Sequence, residues 1–309
     1  MRYLPNGKQM SEADAHTIHK IGIPSLVLME RAALQIVETM HKKNISTEKS
    51  LIVCGSGNNG GDGFAVARLL TEQGKHADVL FAGKEASLSE ECRCQKQIVE
   101  NMGISVFTEF PDEEYTVIID AVFGVGLCRE ITGHYKDVID WMNLQDTEKV
   151  AVDIPSGICA ATGEILGTAF RADLTVCMAC VKLGCELFPG KSYAGESIPV
   201  AIGIDPNYFS NRLDVCYTFD KNELGKLLPA RMMNSHKGSY GKVLMITGSP
   251  GMAGAAFLSA CAAYTVGAGL VQIYTASENR LALQELLPEA IISCYDSYDD
   301  NQLSRLLDW

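Results

Sequence analysis

The residues best equipped for chemistry lie in three short stretches, each directly after a run of Val, Ile, Leu and Ala. The first, within LIVCGSGNNGGDGFAVARLL (Leu51–Leu70), carries Asn58, Asn59 and Asp62 around Gly60 and Gly61. The second is Asp120-Ala121-Val122-Phe123-Gly124-Val125-Gly126-Leu127, and the third is Asp153-Ile154-Pro155-Ser156-Gly157. A turn from strand into helix offers free backbone N–H groups and the positive end of a helix dipole, so it favours anions such as nucleotide phosphates. Two asparagines and an aspartate exceed what phosphate binding needs, and they point to an ion or to chemistry on the nucleotide. Asp120 and Asp153 close apolar strands, where a carboxylate is costly unless paired, hydrogen-bonded or ligating a cation. Capping the next helix is the plainer use of each. Asn, Asp and Ser without His or Cys are hard oxygen donors, suited to an alkali or alkaline-earth cation rather than zinc. Lys182, in Val181-Lys182-Leu183-Gly184, follows another apolar run and is either a cation of the same site or a solvated lysine.

These residues meet only if the strands before them run parallel and end on one edge of a sheet. The spacing predicts strands over 51–54, 77–82, 116–121, 150–154, 174–178 and 198–202, with helices over 63–73 and 85–102 between the early ones. Two helices precede them, over 11–20 and 25–43. Ser11 and Ser25 are their expected N-caps, and Leu26, Met29, Ala33 and Ile36 form the apolar stripe of the second. Strands alternating with helices give βαβ units and a parallel sheet covered on both faces. In such a sheet Asn59, Asp120, Asp153 and Ser156 converge on one crevice.

A second pattern begins near 216–220: a helix over 220–228, a polar loop, a strand over 242–247, an Ala-rich helix over 253–266 and a strand over 270–274. Helices over 277–287 and at the end of the chain, reaching Trp309, complete it. The expected units are 1–217 and 218–309, the second stopping before a sheet of ordinary size is complete.

The chain has 309 residues and a formal net charge of −12, with no run of Lys and Arg, which argues against nucleic acid and anionic membrane surfaces as partners. Phosphate recognition must then be local. The N-terminus is too polar for a secretory signal, and no apolar run is long enough to span a bilayer. The eleven cysteines, without a signal, suit the reduced thiols of a cytoplasmic protein. Cys177 and Cys180, in LTVCMACV, are three apart on an expected strand, face opposite ways, and read as small buried hydrophobes. Cys92 and Cys94 have no histidine nearby and make a poor metal pair. Gly55–Gly60 matches G-x-G-x-x-G literally, but the acidic residue that should hold a ribose is represented only by Glu85, which comes late.

Taken together, N-N-G-G-D-G, D-A-V-F-G-V-G-L, V-D-I-P-S-G with T-G-E-I-L-G behind it, and A-D-L-T-V…K-L-G resemble the NAD(P)H-hydrate epimerase domain, the YjeF N-terminal domain, from about Met10 to Asp205. H-K-G-S-Y-G-K-V-L-M-I-T-G-S-P-G-M-A-G-A-A resembles the opening of the ADP/ATP-dependent NAD(P)H-hydrate dehydratase domain. The resemblance implies a Rossmann-like three-layer αβα sandwich followed by the start of a ribokinase-like α/β domain. It implies a nicotinamide-nucleotide repair enzyme acting on small-molecule NAD(P)HX, the C6-hydrated cofactors, whose R and S epimers the first domain interconverts.

By the same resemblance, Asn58, Asn59, Gly60, Gly61 and Asp62, together with Gly124, Val125, Gly126, Leu127, Cys128, Arg129 and Glu130, line the substrate site. Asp153 contacts the substrate, and Asn59, Asp120 and Ser156 hold a potassium ion. Asp153 and Lys182 are the expected catalytic pair, and Ala253 and Gly254 the expected dehydratase-substrate residues. The family often carries aspartates after P-S-G where this chain has Ile158-Cys159-Ala160-Ala161. The dehydratase anion hole and catalytic aspartate find no counterpart in these residues, so ADP-dependent dehydration is not expected of this polypeptide. A homo-oligomer is compatible with the sequence. The competing readings are an NAD-dependent oxidoreductase, on the bare glycine fingerprint, and a non-catalytic nucleotide-binding module.

Overall fold

The computed structural model describes residues 1–228, 230–297 and 300–307. The chain forms two compact units, Met1–Asp220 and Lys221–Trp309.

The first unit opens with β1 (Arg2–Leu4) and α1 (Gly7–His16). Asn6 caps α1 reciprocally: its Oδ1 accepts from the Gln9 N–H at 2.9 Å, and the Gln9 side chain accepts from the Asn6 N–H at 2.9 Å. The helix therefore starts ahead of Ser11, which is no cap; its hydroxyl donates to the Gly7 carbonyl inside the helix. A π turn, Thr17–Ile21, ends at Gly22, and α2 (Ser25–Lys42) follows Pro24 with no side-chain cap. Leu26 is exposed, whereas Leu28, Met29, Ala32, Ala33 and Ile36 are buried, so the stripe lies further round the helix than expected.

β2 (Lys49–Cys54) leads into α3 (Asn58–Glu72). Helix α3 starts five residues before the expected position because the glycines and asparagines form its first turn rather than a loop. A Cβ on Gly60 would stand 2.0 Å from the Gly55 carbonyl oxygen, so only glycine lets the helix begin this close to the strand end.

Next come β3 (His76–Phe81), a 3-10 turn at Glu85–Ser87, and α4 (Glu90–Asn101), whose Cys92 N–H donates to Ser89 Oγ at 3.2 Å. One helix expected over 85–102 is thus two elements. The unit continues through β4 (Val106–Phe107), β5 (Val117–Ala121), α5 (His134–Leu144), β6 (Glu148–Val152), β7 (Leu174–Met178), α6 (Leu183–Glu186), α7 (Lys191–Ala194), β8 (Glu196–Val200) and β9 (Cys216–Thr218).

The main sheet is parallel throughout, with order β4-β3-β2-β5-β6-β7-β8, while β9 returns to pair antiparallel with β1. Its central strands are buried on both faces, which is why they read as continuous apolar runs. Ile52, Cys54, Ile119 and Val152 pack with Ile36 and Phe64 on the side of α2 and α3. Leu51, Val53, Ile118 and Ala151 pack with Val138, Ile139 and Met142 of α5 on the other. This is the expected three-layer αβα sandwich. Cys177 and Cys180 fall in different core clusters, on opposite sides of the sheet. The strand order reverses between β2 and β5, so the crevice outside their C-terminal ends is where a ligand is expected.

The second unit contains α8 (Lys221–Leu227), β10 (Lys242–Ile246), α9 (Ala253–Val266), β11 (Leu270–Ala276), α10 (Arg280–Leu286), β12 (Ile291–Tyr295) and α11 (Asp300–Leu307). Its parallel sheet, β10-β11-β12, is covered by Ala256, Ala260 and Ala263 of α9, which pack on Val271 and Ile273. β12 has no counterpart in the sequence reading. The expected terminal helix is α11, and Trp309 lies outside the described residues. Among the described residues, no helix is long and apolar enough to cross a membrane.

Candidate active site

At the sheet's C-terminal edge an inner chamber of about 180 Å³ is bordered by Asp14, Asp62, Asp153 and Lys182, with Met29 and Met178 among its apolar walls. Asp153 follows β6 in the left-handed region (φ 68°), and Ala179 follows β7 in the same region (φ 60°). Such conformations cost roughly 1–3 kcal/mol for a residue with a side chain and cluster where a site demands them. The Asp153 turn is fixed by its own N–H donating to Val176 O at 2.8 Å and by the Met178 N–H donating to Asp153 Oδ1 at 2.9 Å. Lys182 is fully buried. Its ammonium donates to Asp153 Oδ1 in a tight ion pair and to Met178 O at 2.9 Å. Asp153 Oδ2 accepts no hydrogen bond among the described residues.

Burial and neighbouring charge shift three of these four groups. Burial works against the Lys182 ammonium, but the Asp153 carboxylate outweighs it and holds the lysine above its ordinary value. Burial pushes Asp14 up to about 6, the Asp153 charge adding to the rise and Lys182 opposing it. Asp62 is held well above the usual carboxylate range by burial, then by the charges of Asp153 and Asp14, again against Lys182. The chamber therefore combines a salt-bridged carboxylate with two carboxyls raised by burial, Asp62 further than Asp14.

Beside it lies an oxygen-rich knot. Asp120 is fully buried at the end of β5, accepting from the Ser156 hydroxyl at 2.6 Å, the Ser156 N–H at 2.7 Å and the Val122 N–H at 3.1 Å. Burial still lifts its carboxyl to about 6 against those donors, and no side-chain cation pairs with it among the described residues. The Ser156 hydroxyl also accepts from the Phe123 N–H at 2.8 Å. A Cβ on Gly124 would stand 3.2 Å from Asn59 Oδ1, which puts that amide against the same loop, and Asn59 Nδ2 is buried without a partner.

An outer cleft of about 900 Å³ adjoins the chamber, with Asp14, Asn58, Asn59 and Val125 bordering both. Its floor is the start of α3, which no side chain caps, so the first N–H groups of that helix remain available to an anion. Gly124, Val125, Gly126, Leu127, Cys128 and Arg129 line it, as do Lys84, Ser56 and Ser87.

Of the sequence-derived residues, Asp62, Asp153 and Lys182 border the inner chamber, and Asn58 and Asn59 border both cavities. Gly60 and Gly61 line neither; they are packing positions, the second with its missing Cβ 2.6 Å from Met29. Glu130 faces a smaller hollow with Ile131 and Thr132. Ala253 and Gly254 open α9 in the second unit. Glu85, the candidate ribose ligand, is ion-paired with Lys96 at 2.8 Å and does not line the cleft. Sequence reasoning missed Asp14 and Lys84. Asp14 had a signal: it is four residues from buried Met10 and one from buried Ala13, an acid on the apolar side of a helix.

The family model for the N-terminus of YjeF-related proteins matches residues 25–184, which include all the residues of the oxygen knot. The chain belongs to the YjeF family. A second match, to the NAD(P)H-hydrate dehydratase model, covers residues 243–308. The YjeF unit is 42% identical over 201 residues to an NAD(P)H-hydrate epimerase of Oenococcus oeni, covering 64% of this chain and 96% of that protein. It is 44% identical over 197 residues to one from Limosilactobacillus reuteri, covering 63% and 93%. The bifunctional NAD(P)H-hydrate repair enzyme Nnr of Moorella thermoacetica is 34% identical over 287 residues, 87% of this chain but 53% of its own length. Against that relative the chain spans about half. A yeast protein of known crystal structure, YNL200c, shares the fold with a TM-score of 0.56 at 17% identity, over 70% of this chain and 99% of that one.

Proposed function

We propose that the YjeF unit interconverts the R and S epimers of NADHX and NADPHX. The observation that carries the reading is the inner chamber, where the Asp153–Lys182 salt bridge shares the space with Asp62 and Asp14, two carboxyls raised by burial, at the end of a nucleotide-sized cleft. A cavity of about 150 Å³ takes one benzene ring, so the chamber suits a single six-membered ring. The uncapped start of α3 suits the pyrophosphate.

C6 of the hydrated ring carries a hydroxyl next to a ring nitrogen, so it is a carbinolamine. Donating a proton to that hydroxyl lets it leave as water while the nitrogen lone pair stabilises a planar C6. Water then returns to the opposite face and loses a proton. Groups with pKa values driven apart divide such work between them. Asp62, held well above the usual carboxylate range, suits delivery of the proton, with Asp14, at about 6, able to exchange one. Asp153, salt-bridged to Lys182, suits its retrieval through Oδ2, which accepts no hydrogen bond among the described residues. Positioned proton transfer contributes about 10²–10⁴-fold.

The oxygen knot fits potassium. Asp120 is a buried carboxylate with no side-chain cation paired to it among the described residues, Ser156 adds a hydroxyl, and rotating the Asn59 amide exchanges its unpartnered Nδ2 for an oxygen. Asn59, Asp120 and Ser156 would hold the ion, which when bound supplies positive charge beside the phosphate-binding helix. Any use of ADP or ATP belongs to dehydratase chemistry in the second unit, with Ala253 and Gly254 at its substrate. Eleven free cysteines support a reducing, cytoplasmic setting.

The test is to incubate purified chain with R-NADHX and follow the epimers by chromatography. Approach to equilibrium faster than in buffer supports the reading; a rate equal to buffer from folded protein overturns it.

A further inference from the structure

The end of β3 lies one strand from the phosphate-binding turn, where dinucleotide folds meet the adenosine ribose. An acid there grips a free 2′-hydroxyl and repels a 2′-phosphate; a cation does the reverse. In this chain the only acid of the segment, Glu85, is drawn away by Lys96, whose ammonium also sits over the Phe81 ring at 5.5 Å. Lys84 takes the position on the cleft instead. Its backbone N–H donates to Ser56 Oγ at 3.0 Å, while its ammonium has no hydrogen bond or ion pair among the described residues.

The segment is built against the phosphate turn. A Cβ on Gly83 would stand 2.7 Å from Ser56 Oγ, the Ser89 N–H donates to Ser56 O at 2.9 Å, and the Ser87 N–H folds back onto Lys84 O at 2.9 Å. One cleft wall thus carries a free ammonium and the hydroxyls of Ser56 and Ser87. Ser56 accepts from the Lys84 N–H, which leaves its own proton free to donate.

We propose that Lys84, Ser56 and Ser87 form a subsite for a phosphate monoester, the 2′-phosphate of NADPHX, and that the enzyme prefers NADPHX to NADHX through it. The subsite rests on the dinucleotide reading of the cleft and adds the choice between the two hydrates.

The experiment compares kcat/KM for both hydrates in the full chain and in Lys84→Ala and Lys84→Glu. It also compares the dissociation constants of adenosine 2′,5′-bisphosphate and 5′-AMP, which need no turnover. The unaltered chain is expected to favour NADPHX and to bind the bisphosphate more tightly than 5′-AMP. Lys84→Ala should lower kcat/KM for NADPHX about tenfold, the scale of one charge-assisted hydrogen bond, and leave NADHX within about twofold. Lys84→Glu should reverse the preference. Equal losses on both hydrates, or an unchanged ratio, overturn the subsite. If neither hydrate turns over but Lys84→Ala abolishes the discrimination between bisphosphate and 5′-AMP, the epimerase reading fails and the subsite stands.

Discussion

Replacing Asp14 with asparagine should stabilise the protein and impair it as an enzyme. In the folded chain the Asp14 carboxyl is raised from 3.8 to about 6, so the folded state holds this proton more tightly than the unfolded one. Below about pH 4 both states are protonated, and asparagine is a fair substitute. As pH rises from about 4 to about 6 the unfolded chain releases its proton while the folded chain keeps it, and stability falls by about 1.4 kcal/mol per pH unit. By pH 7.5 the ionised Asp14 has cost about 3 kcal/mol, which asparagine never incurs. Urea unfolding of the Asp14→Asn variant should therefore match the parent near pH 4 and exceed it by about 2–3 kcal/mol at pH 7.5. Trp141 lies in α5, and Trp309→Phe in both proteins leaves it as the sole tryptophan reporter of the first unit. Epimerisation should drop at the same time, the trade expected when a strained acid is kept for function. A stability difference that is flat with pH, or a variant less stable at pH 7.5, refutes the reasoning about the chamber.

Lys182→Met leaves the Asp153 carboxylate buried among acids and should cost about 3–5 kcal/mol. Adding Asp153→Asn should restore most of that loss, and strictly additive effects in the urea cycle would show that the pair is not coupled. Gly60→Ala drives a Cβ into the Gly55 carbonyl, so the start of α3 must shift; we expect loss of both stability and epimerisation, whereas full activity would show the close approach to be dispensable. Asn59→Ala should remove the dependence of epimerisation on potassium, and a variant as responsive to the ion as the parent takes Asn59 out of the ion site.

The strands were legible because burial on both faces leaves β2, β5 and β6 with apolar centres, and because Asp120 lies at the end of β5 and Asp153 directly follows β6. The start of α3 was not. Glycine and asparagine have poor helix propensity, and what places them in a helix is the approach of Gly60 to Gly55, a tertiary contact with no local signal. β4 is two residues long and exists by pairing with β3. At the site, Asn59, Asp120, Asp153 and Ser156 were recoverable from their positions after strands. Asp14 comes from a helix remote in sequence, and it enters only when Met10 and Ala13 of α1 join the core cluster that holds Phe64 and Met178. Lys84 was hidden by attention to its neighbour Glu85, whose partner Lys96 lies a helix away.

The most direct test of the central claim is the rate of R-to-S conversion of NADHX by the full chain and by Asp153→Asn, at saturating potassium and with folding checked by circular dichroism. The account predicts a fast parent and a variant slowed by about 10²-fold or more. A folded Asp153→Asn that epimerises at the parent rate would contradict it.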